Sequence, residues 1–217
     1  MKRKTVLLTA VFLMMSLTMV ACSPRLVGEA KAKEAGLAFI NKVFDVNETE
    51  ATVTLVERPG LSYVNGIEAH LGDEKPVYFY TIQVNLLADG NYRYYAEVNA
   101  VTGVAYRADK DPDTIVLTQE QQKQAEASGS FDDMQNTDTS AYVQEAINAS
   151  EDWVRQNFER NKPILRIIQN NCVTDSCSFP KVFIDNYVVF IDGTIYNVEW
   201  CWPSMEVTGF TMLNQDH

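Results

Sequence analysis

The sequence predicts an α+β fold of two tandem modules, each with one helix packed on an antiparallel sheet. Both halves of the chain open with apolar residues at helical spacing and continue with strand-like alternation. Each half also carries an Asp-Gly turn signal between two alternating segments, at Asp89-Gly90 and at Asp192-Gly193. The recurrence of helix, strands and hairpin indicates a duplication, although the halves share little residue identity.

The first module opens with a helix. Its apolar residues recur at i, i+3 and i+7, as Leu37, Ile40 and Phe44. A strand rich in β-branched residues follows over 51–57. Residues 61–76 are polar and contain glycine, which predicts an irregular excursion.

The clearest hairpin comes next. Residues 77–87 and 92–98 both alternate apolar side chains, and the Asp89-Gly90 turn separates them. A bend over 99–103 then leads into another short strand that starts at residue 104. Module 1 is therefore predicted to span residues 28–108.

An acidic linker is predicted over residues 109–139. Thr118 and Gln121 have the spacing of a capping box, which predicts a short helix through Ala127. The rest of this segment is polar, acidic and glycine-containing, as expected of a boundary between two modules.

Module 2 is predicted to span residues 140–217 and repeats the order of module 1. Val143, Ile147 and Val154 mark one helix face, and Pro163 ends the helix. The predicted strands are 164–169, 181–185, 187–191, 194–202 and 206–213.

The chain begins with a secretion signal. Three basic residues precede an apolar run, and Cys22 follows the small residue Ala21. This order looks like a bacterial lipobox, with Met19 where leucine is usual, in which Cys22 takes a diacylglyceryl group. We therefore expect a signal peptide over 1–21, a tether over 22–27, and a lipid anchor on the extracytoplasmic face of the cell membrane. An ordinary cleaved signal peptide and an uncleaved membrane anchor are the alternatives.

The acidity of the chain restricts its partners. Loss of the signal peptide, with its three positive charges, changes the net charge from −11 to −14. Such a surface repels DNA, RNA and anionic lipid head groups, so no nucleic acid is expected as a partner. It favours basic partners or cations, or serves solubility alone.

Three further cysteines remain in the mature chain. Cys172 and Cys177 flank a polar loop and would close it with a disulfide, or Cys201 would pair with either one. Three is an odd number, so at least one thiol stays free or pairs with another chain. No zinc site is predicted, because no histidine lies near them in the sequence.

The sequence shows no catalytic constellation. It has no Gly-x-Ser-x-Gly, no His-Glu-x-x-His and no phosphate-binding glycine loop. A thiol enzyme would need Cys177 or Cys201 beside His70, and nothing in the sequence brings them together. The aspartates within 109–113 alternate like the start of a calcium loop, but its glycine and closing glutamate are missing. We expect no metal, no cofactor and no enzymatic activity.

The first module resembles the PepSY domain. The resemblance rests on the aromatic strand 78–84, the Asp89-Gly90 turn, and the strand 94–98 that leads into Asn99-Ala100-Val101-Thr102-Gly103. Asparagine stands at position 99 where the family usually has aspartate, and asparagine also suits a turn. The alanine-rich segment 30–35 matches the opening helix of the family. The second module looks like a diverged copy.

The resemblance implies a helix packed on an antiparallel sheet, without catalytic residues. Members of the family restrain peptidases or act as binding domains. We therefore expect a non-catalytic envelope lipoprotein that binds an extracytoplasmic protein, such as a peptidase or wall enzyme, with or without inhibiting it. Tyr63, Tyr95 and Trp202 are the candidate binding residues. A lipoprotein that binds a small ligand or a cation, and a thiol-dependent enzyme or redox protein, are the alternatives.

Overall fold

A computed structural model describes residues 24–58, 62–64, 67–69, 77–127, 140–174 and 179–213. The predicted signal peptide, the lipidation site Cys22 and the thiol of Cys177 lie outside these residues. The same holds for the side chain of Tyr63, whose backbone belongs to a short strand.

Three helices and ten strands are described. The helices are α1 (Glu29–Phe44), α2 (Gln119–Ala127) and α3 (Ser140–Asn157), with a short 3₁₀ turn at Pro112–Thr114. The strands are β1 (Thr52–Arg58), β2 (Ser62–Val64), β3 (Ile67–Ala69), β4 (Val77–Leu86), β5 (Tyr92–Asn99), β6 (Ala105–Lys110), β7 (Ile164–Val173), β8 (Val182–Phe190), β9 (Ile195–Trp202) and β10 (Glu206–Leu213).

Eight strands form one antiparallel sheet in the order β1-β4-β5-β6-β10-β9-β8-β7, and β2 and β3 pair separately. The predicted α+β class is confirmed. The sequence predicts a sheet for each module, whereas the structure joins all eight strands into one. The junction is the pairing of β6 with β10, which are the last strands of the two halves, centred on Ala108 opposite Phe210. Each half thus contributes one helix and four strands.

Helices α1 and α3 cover the same face of the sheet. α1 packs on β1, β4, β5, β6 and β10, while α3 packs on β7, β8 and β9. Apolar side chains at alternate positions of the strands meet these helices, including the fully buried Ile82, Val198 and Phe210. The residues between them point to the opposite side, which we call the outer face.

Phe210 is the centre of the core and joins both helices to the sheet seam. Its ring stacks on Phe158 beyond the end of α3, at 4.4 Å between centroids, and lies 5.9 Å from Phe39 of α1. Trp153 and Tyr196 lie 5.1 and 5.4 Å away. Aromatic rings at such separations contribute attraction beyond the burial of their area.

Gly36 allows α1 to approach the sheet closely. A Cβ atom at this position would lie 2.3 Å from Cγ1 of Ile82 on β4. The absence of a side chain is therefore a packing requirement, even though glycine costs helix stability.

The local signals in the sequence are confirmed where the structure describes them. Thr118 and Gln121 form the reciprocal capping box, with N to Oε1 and N to Oγ1 distances of 2.8 and 3.2 Å. The two Asp-Gly turns have the same geometry. Gly90 and Gly193 have φ of 92° and 87°, and each amide donates to the carbonyl three residues before it at 3.1 Å.

Four predictions of local structure are wrong. β2 and β3 pair within residues 61–76, where the sequence predicts an irregular excursion. β7 continues to Val173, so Cys172 lies in a strand and not in a loop. The two strands predicted over 181–191 are the single strand β8. β6 continues to Lys110, which places Asp109 in the sheet instead of the linker. In each case a cross-strand partner satisfies backbone groups that polar composition alone assigns to a loop.

No helix within the described ranges is long and apolar enough to span a membrane.

Candidate functional site

The outer face carries a buried glutamate in the first half of the sheet. Glu97 on β5 pairs with Arg107 on β6, and the β-bulge that follows leaves Tyr106 as the extra residue. The hydroxyl of Tyr106 donates to Oε2 of Glu97 at 2.5 Å. The bulge thus turns a hydroxyl from the neighbouring strand onto the carboxylate.

The charge of Glu97 is fully compensated by its surroundings. The hydroxyl of Tyr95 donates to Oε1 at 2.8 Å, and the guanidinium groups of Arg58 and Arg107 lie 3.3 and 3.8 Å from the same oxygen. Only 3% of the glutamate side chain is exposed. Two guanidinium groups and two phenols therefore replace the water that a carboxylate would otherwise need.

Glu199 occupies the corresponding position in the second half. It lies on β9 opposite Gly209 of β10, next to a bulge at Thr208. The hydroxyl of Thr208 donates to Oε1 of Glu199 at 2.5 Å, as Tyr106 donates to Glu97. The third and fourth strands of each half therefore share the same register, the same bulge and the same hydroxyl-to-carboxylate bond.

The neighbours of Glu199 differ from those of Glu97 on both adjacent strands. Gly209 stands opposite Glu199, whereas Arg107 stands opposite Glu97. On the other side, Glu199 faces Asp185 of β8. Compared with Glu97, Glu199 has no arginine opposite it on the next strand and has a second carboxylate as its neighbour.

A cleft of about 250 Å³ opens on the outer face around Gly209. A Cβ atom at Gly209 would lie 3.3 Å from Cβ of Glu199 and 3.4 Å from Oδ1 of Asp109. Glycine thus allows Glu199 and Asp109 to approach the β10 backbone more closely than a side chain at position 209 would. The charged and polar groups that line the cleft come from five neighbouring strands and include Arg107, Asp109, Asn170, Asp185, Asn197 and Glu199.

The three carboxyl groups of the cleft are held in an unfavourable environment for charge. Burial raises the pKa of Asp109, Asp185 and Glu199, and mutual repulsion raises the pKa of Glu199 further. Nε of Arg107 lies 2.7 Å from Oδ2 of Asp109 and is the one cation among the described lining residues. The cleft is therefore short of positive charge.

The sequence indicates the face of the sheet on which these carboxyl groups lie, but only the strand order shows that they lie close together. Asp109, Asp185 and Glu199 all occupy the polar phase of alternating strands, opposite the core-facing phase. That phase places each of them on the outer face. It does not reveal that β6 lies beside β10, because the two strands are separated by almost 100 residues.

The structure separates the predicted binding residues. Tyr95 lies on the outer face with its hydroxyl on Glu97, and burial raises the pKa of this phenol. Trp202 is 4% exposed and stacks on Tyr142, at 4.6 Å between centroids, in the core. The prediction of Trp202 as a surface anchor is wrong, because the alternation of β9 points it toward the helices. Tyr63 belongs to β2, and its side chain lies outside the described residues.

Cys172 and Cys201 do not bond to each other. Both thiols are free, and β8 separates their strands. Cys172 shares a row with Ile184, whereas Cys201 shares a row with Phe183, so they point to opposite faces. Burial raises the pKa of both thiols. Because both thiols are free, the structure contains none of the predicted disulfide pairings of Cys172 or Cys201, including the bond between Cys172 and Cys177.

Within the described part of the chain, no group of three or more His, Cys, Asp or Glu side chains lies in an arrangement that could hold a metal ion.

No family model, no curated protein and no solved structure matches this chain. The resemblance to the PepSY domain remains a prediction that rests on the residues alone.

Proposed function

We propose that this protein is a non-catalytic bacterial envelope lipoprotein of two PepSY-like modules that binds a basic segment of an extracytoplasmic protein, such as a peptidase or wall enzyme. The outer face around the cleft is the binding surface. The observation that carries this proposal is the cluster of three carboxyl groups around Gly209 with a single arginine among them, which attracts further positive charge. Inhibition of the partner would follow if the bound segment belongs to its active surface.

The shared geometry of the two halves supports the two-module organisation. Each half has a helix and four strands in the same order, and the Asp-Gly turns adopt the same φ and hydrogen bonds. The glutamates at positions 97 and 199 share a register, a bulge and a hydroxyl donor. Independent origins would have to reproduce each of these details separately.

The state of the thiols supports a non-catalytic role. A nucleophilic cysteine needs a lowered pKa and access to substrate. Burial raises the pKa of Cys172 and Cys201, and Cys201 is inaccessible to solvent. These two side chains fit packing better than thiol chemistry.

The size of the cleft favours a protein partner over a separate small ligand. Pockets for drug-sized ligands usually enclose roughly 300–1,000 Å³ and are largely apolar. This cleft of about 250 Å³ is lined mainly by charged and amide groups. It suits one charged side chain projecting from a larger surface.

The position of the fold relative to the predicted anchor suits a partner at the membrane. α1 begins at Glu29, seven residues after Cys22. A segment of that length spans about 25 Å when extended. The binding surface would therefore be held close to the outer side of the membrane.

Site-specific photocrosslinking tests the proposal on the full-length lipoprotein in cells. Benzoylphenylalanine replaces Tyr187, an aromatic residue that lines the cleft, or Glu34, an exposed residue of α1 on the opposite side of the sheet. We expect a discrete crosslinked envelope protein from position 187, with little or none from position 34. The mapped crosslink should lie in a segment of net positive charge.

Two results would overturn the proposal. The first is that neither position yields a protein crosslink in cells that contain their full set of envelope proteins. The second is an equal yield of the same product from positions 187 and 34, which would place the contact outside the outer face.

A further inference from the structure

We infer that the cleft around Gly209 binds one guanidinium group, the side chain of an arginine that the partner presents. This inference rests on the proposed function for the source of the arginine, and it goes further by naming the recognised group.

The first half of the sheet shows which group belongs beside such a glutamate. Glu97 receives a bulge hydroxyl and also holds the guanidinium groups of Arg58 and Arg107. Glu199 receives the equivalent bulge hydroxyl, but Gly209 takes the place of Arg107. The molecule thus contains the same arrangement twice, once with an arginine opposite the glutamate and once without it.

The arrangement around Glu199, which lacks this arginine, has space for an incoming side chain. The cleft of about 250 Å³ lies over Gly209, where no side chain rises from β10, and it is bordered by Asp109, Asp185 and Glu199. The side-chain amides of Asn170 and Asn197 act on Asp185 by lowering its pKa, which opposes the effect of burial. The walls are strands of one continuous sheet, so little reorganisation is needed on binding.

The charge balance favours a cation with a planar set of donors. Three carboxylates face one arginine, and burial raises the pKa of each of the three. A guanidinium has five donors in a fixed plane, which allows it to bridge carboxylates on neighbouring strands. A small metal ion would require more converging oxygen ligands than these dispersed carboxylates supply.

The direct test is a titration that does not require the partner. The full-length lipoprotein, ¹⁵N-labelled in detergent micelles, is titrated with N-acetyl-arginine amide and separately with N-acetyl-citrulline amide. Citrulline has nearly the same shape but no charge. The reporters are the side-chain amides of Asn170 and Asn197, which remain present in every variant.

We expect the arginine derivative to shift both reporters with saturation at millimolar concentration, which is the range of roughly −4 kcal/mol binding. The citrulline derivative should leave them unshifted. Glu199→Gln should weaken arginine binding at least about fivefold, because removal of one partner weakens a charge-assisted contact. Glu126→Gln removes an equal charge from the exposed side of α2 and should leave the binding unchanged.

A second variant protects the test against loss of folding. If the dispersed spectrum of Glu199→Gln is lost, Asp185→Asn supplies the same comparison from the other wall of the cleft. In the wild type, an increase from 0.05 to 0.5 M salt should weaken binding several-fold, since contacts between exposed charges are screened.

Equal shifts with arginine and citrulline would overturn the inference, as would equal arginine affinity in the wild type and both cleft variants. Its failure can be distinguished from failure of the proposed function. A partner crosslinked at position 187 without arginine binding would overturn the inference alone. Arginine binding without any protein crosslink would overturn the proposed function alone.

Discussion

Glu199 repeats on β9 the position of Glu97 on β5, down to the hydroxyl of the bulged residue that donates to each carboxylate at 2.5 Å. The two positions differ in what neutralises the charge. Glu97 lies between two arginines, whereas Glu199 lies between Gly209 and Asp185. In the first half of the sheet the glutamate forms internal ion pairs with two arginines. In the second half no arginine stands opposite the glutamate.

This difference predicts a stability cost at Glu199. Burial is the first cause that raises its pKa from the ordinary value of 4.5, and repulsion from nearby acids adds to it. The native state therefore binds this proton more tightly than the unfolded chain. Stability from this group is fully present below pH 4.5 and is lost as the pH rises through the raised native pKa.

Glu199→Gln should accordingly raise the stability of the protein at pH 7. A gain of roughly 1 kcal/mol, about 2–4 °C in Tm for a chain of this length, is expected because a neutral amide is less costly to bury. Thermal unfolding between pH 3.5 and 8 measures the effect. The advantage should disappear at the acidic end, where the wild-type carboxyl is protonated.

Glu126→Gln is the matched control, because this side chain is exposed. Its effect on Tm should stay small at all pH values. If Glu199→Gln destabilises the protein at pH 7 and the loss disappears in acid, the ionised carboxylate stabilises the fold, contrary to our account.

Gly209→Arg should place a guanidinium group opposite Glu199, as Arg107 stands opposite Glu97. The backbone at this position is outside the left-handed region, and the new Cβ needs its neighbours to move by a few tenths of an ångström. The new guanidinium should lower the pKa of Glu199 toward its usual range. Carboxyl ¹³C chemical shifts measured against pH report this change.

Gly209→Ala is the control, since it adds the crowding of a Cβ without the charge. The arginine variant should exceed the alanine variant in Tm at pH 7 and should no longer bind free arginine in the cleft. An arginine variant with an unchanged Glu199 titration would show that the two positions are not equivalent.

Gly36→Ala should destabilise the protein although alanine is the better helix former. The new methyl would approach Cγ1 of Ile82 to 2.3 Å, so α1 must move away from β4. Overpacking of this kind typically costs about 1–3 kcal/mol, against a gain of about 1 kcal/mol in helix propensity. Urea unfolding of the single variant measures the balance.

A double-mutant cycle isolates the steric cause. In an Ile82→Ala background Cγ1 and Cγ2 are absent and only Cβ remains, 2.9 Å from the new methyl, so the penalty of Gly36→Ala should be clearly smaller than in the wild-type background. The same penalty in both backgrounds would mean that the helix does not approach the sheet through this pair.

Cys201 should resist alkylation in the folded protein. Its side chain is fully buried, and burial raises the pKa of the thiol, so little thiolate is exposed to reagent. Labelling with N-ethylmaleimide at pH 7, followed by peptide mass spectrometry, should modify Cys201 only after unfolding. Fast labelling of the folded protein would instead favour the thiol-enzyme alternative.

Local features of this fold follow from short stretches of sequence. The capping box at Thr118, the Asp-Gly turns and the apolar spacing of α1 are each decided by residues within a few positions of one another. Such signals do not depend on distant strands, and the structure shows all of them.

The features that build the cleft depend on distant strands. Asp109 reads as part of an acidic linker because its sequence neighbours are polar, whereas its cross-strand partners Tyr95 and Gly209 are not adjacent to it in sequence. Trp202 illustrates a signal that was available, since it shares the alternation of Tyr196 and Val198, which face the core. Aromatic content suggested an anchor, but the strand period decides the face.

The most direct test of the outer face as the working surface is competition during photocrosslinking. Full-length lipoprotein with benzoylphenylalanine at position 187 is irradiated in spheroplasts, with N-acetyl-arginine amide or N-acetyl-citrulline amide present. We predict one envelope product whose yield falls with the arginine derivative and is unchanged with citrulline. A product that forms from position 34 on α1 and not from position 187 would contradict the account.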